Sequence, residues 1–204
     1  MLAVSTGLNS NGKRDIKFVA GPTEWESYPP AARLKIPCGR CVGCRLERSR
    51  QWANRCMLEL QYHESSYFVT LTYDDEHVPV TYYAEDDDGC ARSGLTLRSR
   101  DFQLFMKRLR KEHSYERIRF FACGEYGSTT YRPHYHAIIF GLTLDDLRPY
   151  KRSPQNYDYF ISDSLTECWG LGYVVVGAVT WETCAYTARY IMKKALGEGA
   201  EVYE

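Results

Sequence analysis

Two runs rich in β-branched and aromatic residues, Ile118 to Cys123 and Tyr135 to Phe140, are joined by Gly-Glu-Tyr-Gly-Ser-Thr-Thr-Tyr-Arg-Pro, a connection made of turn formers. A parallel pair would need a crossover of a dozen or more residues, usually a helix, and this connection carries no helical period. The two runs therefore predict neighbouring antiparallel strands. Tyr67–Tyr73 and Tyr173–Val179 read as further strands. Helical patterns run from the segment after Cys44 to Leu60, from a cap at Ser99 or Asp101 to about His113, over a short stretch ending near Trp169, and from Trp181 to Leu196. The resulting order is helix, strand, helix, strand, strand, helix, strand, helix. Without regular βα alternation it predicts an α+β sandwich, an antiparallel sheet with helices packed on one side.

At 204 residues the chain can bury one good core with extensions. We expect an arm, a Cys-containing segment and a basic helix over 1–64, a core over 65–196 and a tail over 197–204. Residues 1 to about 36 show no period and read as an irregular arm, and the acidic stretch 80–97 reads as exposed and irregular. Gly7 to Lys13 approaches a phosphate-binding loop, but Arg14 stands where Ser or Thr is required, so an ATPase is rejected. Neither a bilayer-length apolar run nor a secretory start is present, which predicts no membrane partner and a reducing compartment for the eight cysteines.

Lysine plus arginine balances aspartate plus glutamate, 26 against 26, which excludes a globally basic nucleic-acid coat. The balance is uneven along the chain. Arg33 to Arg55 and Arg98 to Arg119 are cationic, while the acids gather in Asp74-Asp75-Glu76, Glu85 to Asp88 and Asp145-Asp146. Each cationic window alone fits a solvated surface; with 17 tyrosines and 4 tryptophans able to stack on bases, the two suggest contact with single strands.

The chemistry concentrates at the strand junction. His134 and His136 are two apart on a strand, so both imidazoles point to one face, roughly 6.6–6.8 Å apart along the chain. A hairpin brings Glu125 beside His134. Two imidazoles and a carboxylate make an open site for a divalent ion that must also hold a substrate oxygen, and a polar patch on a wet strand face is the plain alternative. On the last helix, at roughly 100° per residue, Tyr186, Tyr190 and Lys193 fall within roughly 60° of one another, opposite Trp181, Ala185, Ala188, Met192 and Ala195. Tyrosines one turn apart more often pack than react; next to a metal site they suggest a nucleophile. A phenol of pKa about 10 attacks a phosphodiester poorly unless a cation polarises a nonbridging oxygen. Lys193 either stabilises the developing charge or faces solvent.

Phe68-Val-Thr-Leu-Thr-Tyr73, Arg132-Pro-His134-Tyr-His136-Ala-Ile-Ile-Phe140 and Tyr186-Thr-Ala-Arg-Tyr190-Ile-Met-Lys193-Lys194 resemble the three ordered motifs of HUH rolling-circle replication initiators of the paired-tyrosine type. Cys38-Gly-Arg-Cys41-Val-Gly-Cys44-Arg-Leu, followed by Ser49-Arg-Gln-Trp-Ala-Asn-Arg-Cys56, further resembles the initiators of gokushovirus-like microviruses, small single-stranded DNA bacteriophages. The resemblance implies a ferredoxin-like or RRM-like HUH endonuclease fold, Mg2+ or Mn2+ on His134, His136 and Glu125, and Tyr186 and Tyr190 as nucleophiles. One phenol becomes joined to a 5′ phosphate and frees a 3′ hydroxyl. It also implies a phage origin and host replication machinery as partners, in the host bacterial cytoplasm.

Cys38, Cys41 and Cys44 can supply thiolates to a structural Zn2+, but a closed tetrahedral site needs a fourth ligand, for which Cys56 and His63 are equally open; simple loop thiols and an iron–sulfur cluster are the alternatives. Arg40, Arg45, Arg48 and Arg132 are candidate DNA contacts. Against the endonuclease reading stand a noncatalytic single-stranded nucleic-acid-binding module and a zinc-dependent hydrolase, the latter disfavoured because no HExxH pattern is present.

Overall fold

The computed structural model describes residues 1–85, 91–127, 130–153 and 156–191. The chain divides into two compact units, Met1–Arg48 and the remainder from Ser49.

The first unit differs from the irregular arm expected. It holds β1 (Leu2–Leu8), β2 (Arg14–Phe18), α1 (Pro22–Glu26), a single 3-10 turn over Pro30–Ala32, and β3 (Arg33–Lys35), with an antiparallel sheet in the order β2-β1-β3. Asn9 makes the first hairpin by accepting the amides of Asn11 and Lys13 at 3.0 and 2.9 Å, an Asx turn. Ala3 and Val4 are buried, and the Trp25 indole donates to the Ala3 carbonyl at 3.0 Å. β2 is exposed throughout, so it has no alternation to betray it. The helix α2 (Val42–Leu60) starts in this unit.

The second unit adds β4 (Ser66–Tyr73), β5 (Val80–Glu85), β6 (Ala91–Leu95), α3 (Ser99–Glu112), β7 (Arg119–Tyr126), β8 (Pro133–Phe140), β9 (Arg148–Arg152), β10 (Asp158–Ile161), α4 (Asp163–Trp169), β11 (Gly172–Ala178) and α5 (Trp181–Ile191). Six strands form one wholly antiparallel sheet in the order β7-β8-β4-β11-β10-β9. The expected α+β architecture and the order of its strands and helices hold, with three differences. Within the stretch expected to be irregular, β5 and β6 pair with each other. β9 and β10 extend the sheet where a loop was expected, and neither Ser99 nor Asp101 caps α3: Arg98 is the N-cap, without a side-chain bond, and the Asp101 carboxylate accepts the Tyr73 phenol at 2.8 Å.

The third difference sets the active face. Helices cover both sides of the sheet. On one side Val69, Leu71, Tyr73, Tyr135 and Ile139 pack with Phe102, Phe105, Met106 and Leu109 of α3 and with Leu165 and Trp169 of α4. On the other, Phe68, Ile138 and Phe140 pack with Ala53 and Cys56 of α2 and with Cys184 and Ala185 of α5. Burial on two faces explains why β8 reads as one apolar run instead of alternating. Among the described residues no helix is long and apolar enough to cross a membrane.

Candidate active site

The ladder fixes the cluster. β7 pairs with β8 so that Glu125 stands opposite His134 and Cys123 opposite His136, and β4 sets Thr72 and Thr70 against the same two histidines on the other flank. Strand alternation sends these side chains to the face carrying Phe68 and Ile138, the face packed by α5. The ligand atoms of Glu125, His134 and His136 lie within 4.8 Å of one another.

Both imidazoles are aimed from behind. His134 Nδ1 lies 3.0 Å from the Arg132 carbonyl, which can only accept, so Nδ1 carries the proton and Nε2 presents its lone pair to Glu125 Oε2 at 3.5 Å. His136 Nδ1 is 3.1 Å from the Thr70 hydroxyl, and its Nε2 is 2.8 Å from the same carboxylate oxygen. That Nε2 is buried without a well-directed hydrogen bond. Burial, then the neighbouring His134, push the His136 pKa down to about 4 against the pull of Glu125, so the ring is neutral at pH 7. Lone pairs converging on a carboxylate with no proton between His134 and the acid form the donor set a hard or borderline divalent cation takes, and the residues present fit one.

The phenols reach the same oxygen. The Tyr186 hydroxyl donates to Glu125 Oε2 at 2.7 Å, and its ring stands edge-on to His136 with centroids 5.1 Å apart. The Tyr190 ring lies 4.8 Å from Tyr186 and 6.5 Å from His136, and its phenol also hydrogen-bonds Glu125. Burial would raise the Glu125 carboxyl, but the Tyr190 and Tyr186 hydrogen bonds and the two imidazoles hold it below the ordinary carboxylate value. Burial, the partner phenol and the carboxylate raise Tyr186, and burial followed by Glu125 raises Tyr190. α5 is held in place by its buried face, Cys184, Ala185, Thr187 and Ala188, and by Ser49, whose hydroxyl donates to the Ala185 carbonyl at 3.0 Å.

Other expected site residues fall elsewhere. Lys193 and the tail 197–204 lie outside the described residues. Arg132 spends its guanidinium on the Tyr73 carbonyl at 2.7 Å and on Asp75, tying the start of β8 to the end of β4. Cys38, Cys41 and Cys44 bring their sulfurs within 4.8 Å of one another in the first unit, where Arg40 and Arg48 are exposed and Arg45 half-buried. Cys56 does not join them: its thiol is buried and hydrogen-bonded with Cys184. His63 is held by Glu59 at 2.8 Å. Sequence reasoning missed Thr70, although a polar residue at a strand position facing a buried imidazole is a signal that parity could have supplied.

The model of the replication-associated protein ORF2 family matches residues 66–195. The chain belongs to that family. It is 37% identical over 163 residues to replication-associated protein ORF2 of Spiroplasma virus 4, covering 78% of this chain and 48% of that protein. It is 31% identical over 198 residues to replication-associated protein VP4 of Bdellovibrio phage phiMH2K, covering 94% of this chain and 56% of the relative. Replication-associated protein ORF4 of Chlamydia phage 1 is 32% identical over 166 residues, covering 78% of this chain and 38% of its own. The chain thus spans about half the length of the curated relatives it matches. No solved structure matches it.

Proposed function

We propose that the chain is a rolling-circle replication initiator of a single-stranded DNA phage, an endonuclease and strand transferase that nicks origin DNA with a tyrosine. One observation carries the reading: the Tyr186 phenol lies 2.7 Å from the carboxylate that both histidines face. A nucleophile and a cation-binding donor set therefore meet at one point. Membership in a replication-associated family supports it independently.

His134, His136 and Glu125 would hold Mg2+ or Mn2+, which supplies polarisation of a nonbridging phosphate oxygen. The protein supplies the rest. Thr70 and the Arg132 carbonyl fix the imidazoles so that neither ring must reorient on binding. The Glu125 carboxylate accepts the phenolic hydrogen bond and directs the Oη lone pair of its tyrosine toward the site. In the reaction the tyrosine Oη–P bond forms as the P–O3′ bond breaks; the phenolic proton leaves to solvent or the carboxylate, and the departing 3′ oxygen gains one. The bond energy stays in the phosphotyrosine, so a 3′ hydroxyl can later reverse the step without a nucleotide cofactor. The second phenol, one turn away, is placed to take the strand when the cycle closes.

The test is incubation with a single-stranded origin oligonucleotide and Mn2+, followed by denaturing electrophoresis. A 5′-linked protein–DNA adduct is expected, abolished by His136→Ala while salt-sensitive binding survives, because arginine–phosphate contacts supply most nonspecific affinity. Tyr190→Phe is expected to remove the first adduct and Tyr186→Phe to spare it, since Lys193 follows Tyr190 by one turn in sequence. Binding without any adduct would leave a noncatalytic single-strand-binding module, and cleavage without an adduct would leave a hydrolase.

A further inference from the structure

The three thiols of the first unit are arranged as a site in their own right. Cys38 and Cys41 bracket a tight turn in which Gly39 adopts φ +73°, a conformation that L side chains rarely adopt. The turn aims the Cys41 amide at Cys38 Sγ, at 3.3 Å. Cys44 then enters from the first turn of α2, where unpaired amides and the helix dipole favour an anionic sulfur. Cys38 and Cys44 sulfurs are 3.8 Å apart, and all three are within 4.8 Å of one another.

Those distances separate the competing chemistries. A disulfide needs a sulfur separation of about 2.05 Å, so the pair at 3.8 Å is not bonded. A four-iron cluster places iron and sulfide between successive thiolates and holds them well apart. Four ligands at about 2.3 Å around zinc stand about 3.8 Å from one another at the tetrahedral angle, which is the separation of Cys38 and Cys44. Three thiolates this close repel unless a cation lies among them.

We infer that Cys38, Cys41 and Cys44 form a trithiolate site for one Zn2+ ion, distinct in ligand chemistry from the histidine–carboxylate cluster. Among the described residues no fourth donor joins them, so the fourth position takes water or a solute donor. Metal binding releases the thiol protons to solvent as three Zn–S bonds form. The ion staples the passage from β3 into α2, where the short 3-10 turn and the exposed sheet supply little core of their own.

Cobalt reports this directly, because a thiolate ligand gives Co2+ a charge-transfer band in the near ultraviolet and a carboxylate or imidazole ligand does not. Titrating the reduced full chain with Co2+ should saturate that band at one equivalent, and Zn2+ should erase it. The band should survive His134→Ala/His136→Ala and disappear in Cys38→Ser/Cys41→Ser/Cys44→Ser. In the wild-type chain, which avoids any folding defect, zinc should protect these three cysteines from iodoacetamide more than tenfold, with protection lost on chelation. Absence of the band, its persistence in the triple variant, or equal alkylation with and without zinc would overturn the proposal. None of these readouts depends on DNA cleavage, so this site and the nicking reaction fail separately.

Discussion

Tyr186→Phe removes one hydroxyl and keeps the ring against His136. In the wild-type protein that hydroxyl donates to a buried, ionised carboxylate at 2.7 Å. Hydrogen bonds to charged groups contribute about 1.5–3 kcal/mol and neutral ones about 0.5–1.5 kcal/mol. Glu125 keeps its contacts with Tyr190 and His136 when Tyr186 is truncated, so it is not orphaned, and the cost belongs near the low end, about 2 kcal/mol. Replacing Glu125 by Gln keeps the shape and an accepting oxygen but makes the bond neutral, and in that background Tyr186→Phe should cost about 1 kcal/mol. The double-mutant cycle therefore predicts a coupling of about 1 kcal/mol, measured by urea unfolding at pH 7 with divalent ions chelated. Saturating Mn2+ should shrink the coupling, since the cation then satisfies the carboxylate that the phenol satisfied alone. A coupling within about 0.3 kcal/mol of zero, the usual additivity error, would mean that phenol and carboxylate do not meet, and the shared locus on which the proposed reaction depends would be refuted.

Thr70→Val should lower Mn2+ affinity about 10–100-fold by isothermal calorimetry, because it frees the back of the His136 ring, while Thr70→Ser should restore it; equal losses would indicate a packing role instead. Gly172→Ala should destabilise the fold by more than about 3 kcal/mol, since φ is +142° and a Cβ would stand 2.3 Å from the Thr72 carbonyl oxygen; an unfolding midpoint close to wild type would contradict the β11–β4 register. Asp146 accepts the Ser164 amide at 2.8 Å and the Ser162 hydroxyl at 2.7 Å; burial raises its pKa, but these bonds outweigh it and hold the carboxyl below the ordinary value. Its contribution is therefore complete above an unfolded pKa of about 3.9 and is lost as pH falls through the lower native pKa, so Asp146→Asn should cost about 1 kcal/mol at pH 7 and flatten the acid limb of the stability curve.

Strands and helices whose burial imposes a period were readable from the residues, and those without one were not. β4 alternates Phe68-Val-Thr-Leu-Thr-Tyr73 between two cores, and α3 repeats Phe102, Phe105, Met106 and Leu109 at one-turn spacing, because each faces a packed layer. β2 and β9 are exposed along their whole length, so selection for a buried face left no mark on their composition; their order comes from backbone pairing with a neighbour. The same distinction governs the site. His134, His136 and Glu125 were legible because a strand's parity and a hairpin's return are local geometry. That Tyr186 would face them was legible only through resemblance, since the approach of α5 is set by Ala53, Cys56 and Cys184 packing across the sheet from Phe68 and Ile138. Small residues on α2 and α5 at those contacts let both helices sit on the same face as the histidines. Helices confined to the α3 side would have left the imidazoles in water, far from any phenol of α5. Two-sided coverage of the sheet, which the one-sided sandwich did not anticipate, is therefore the structural condition for a nucleophile to stand over the donor set at all.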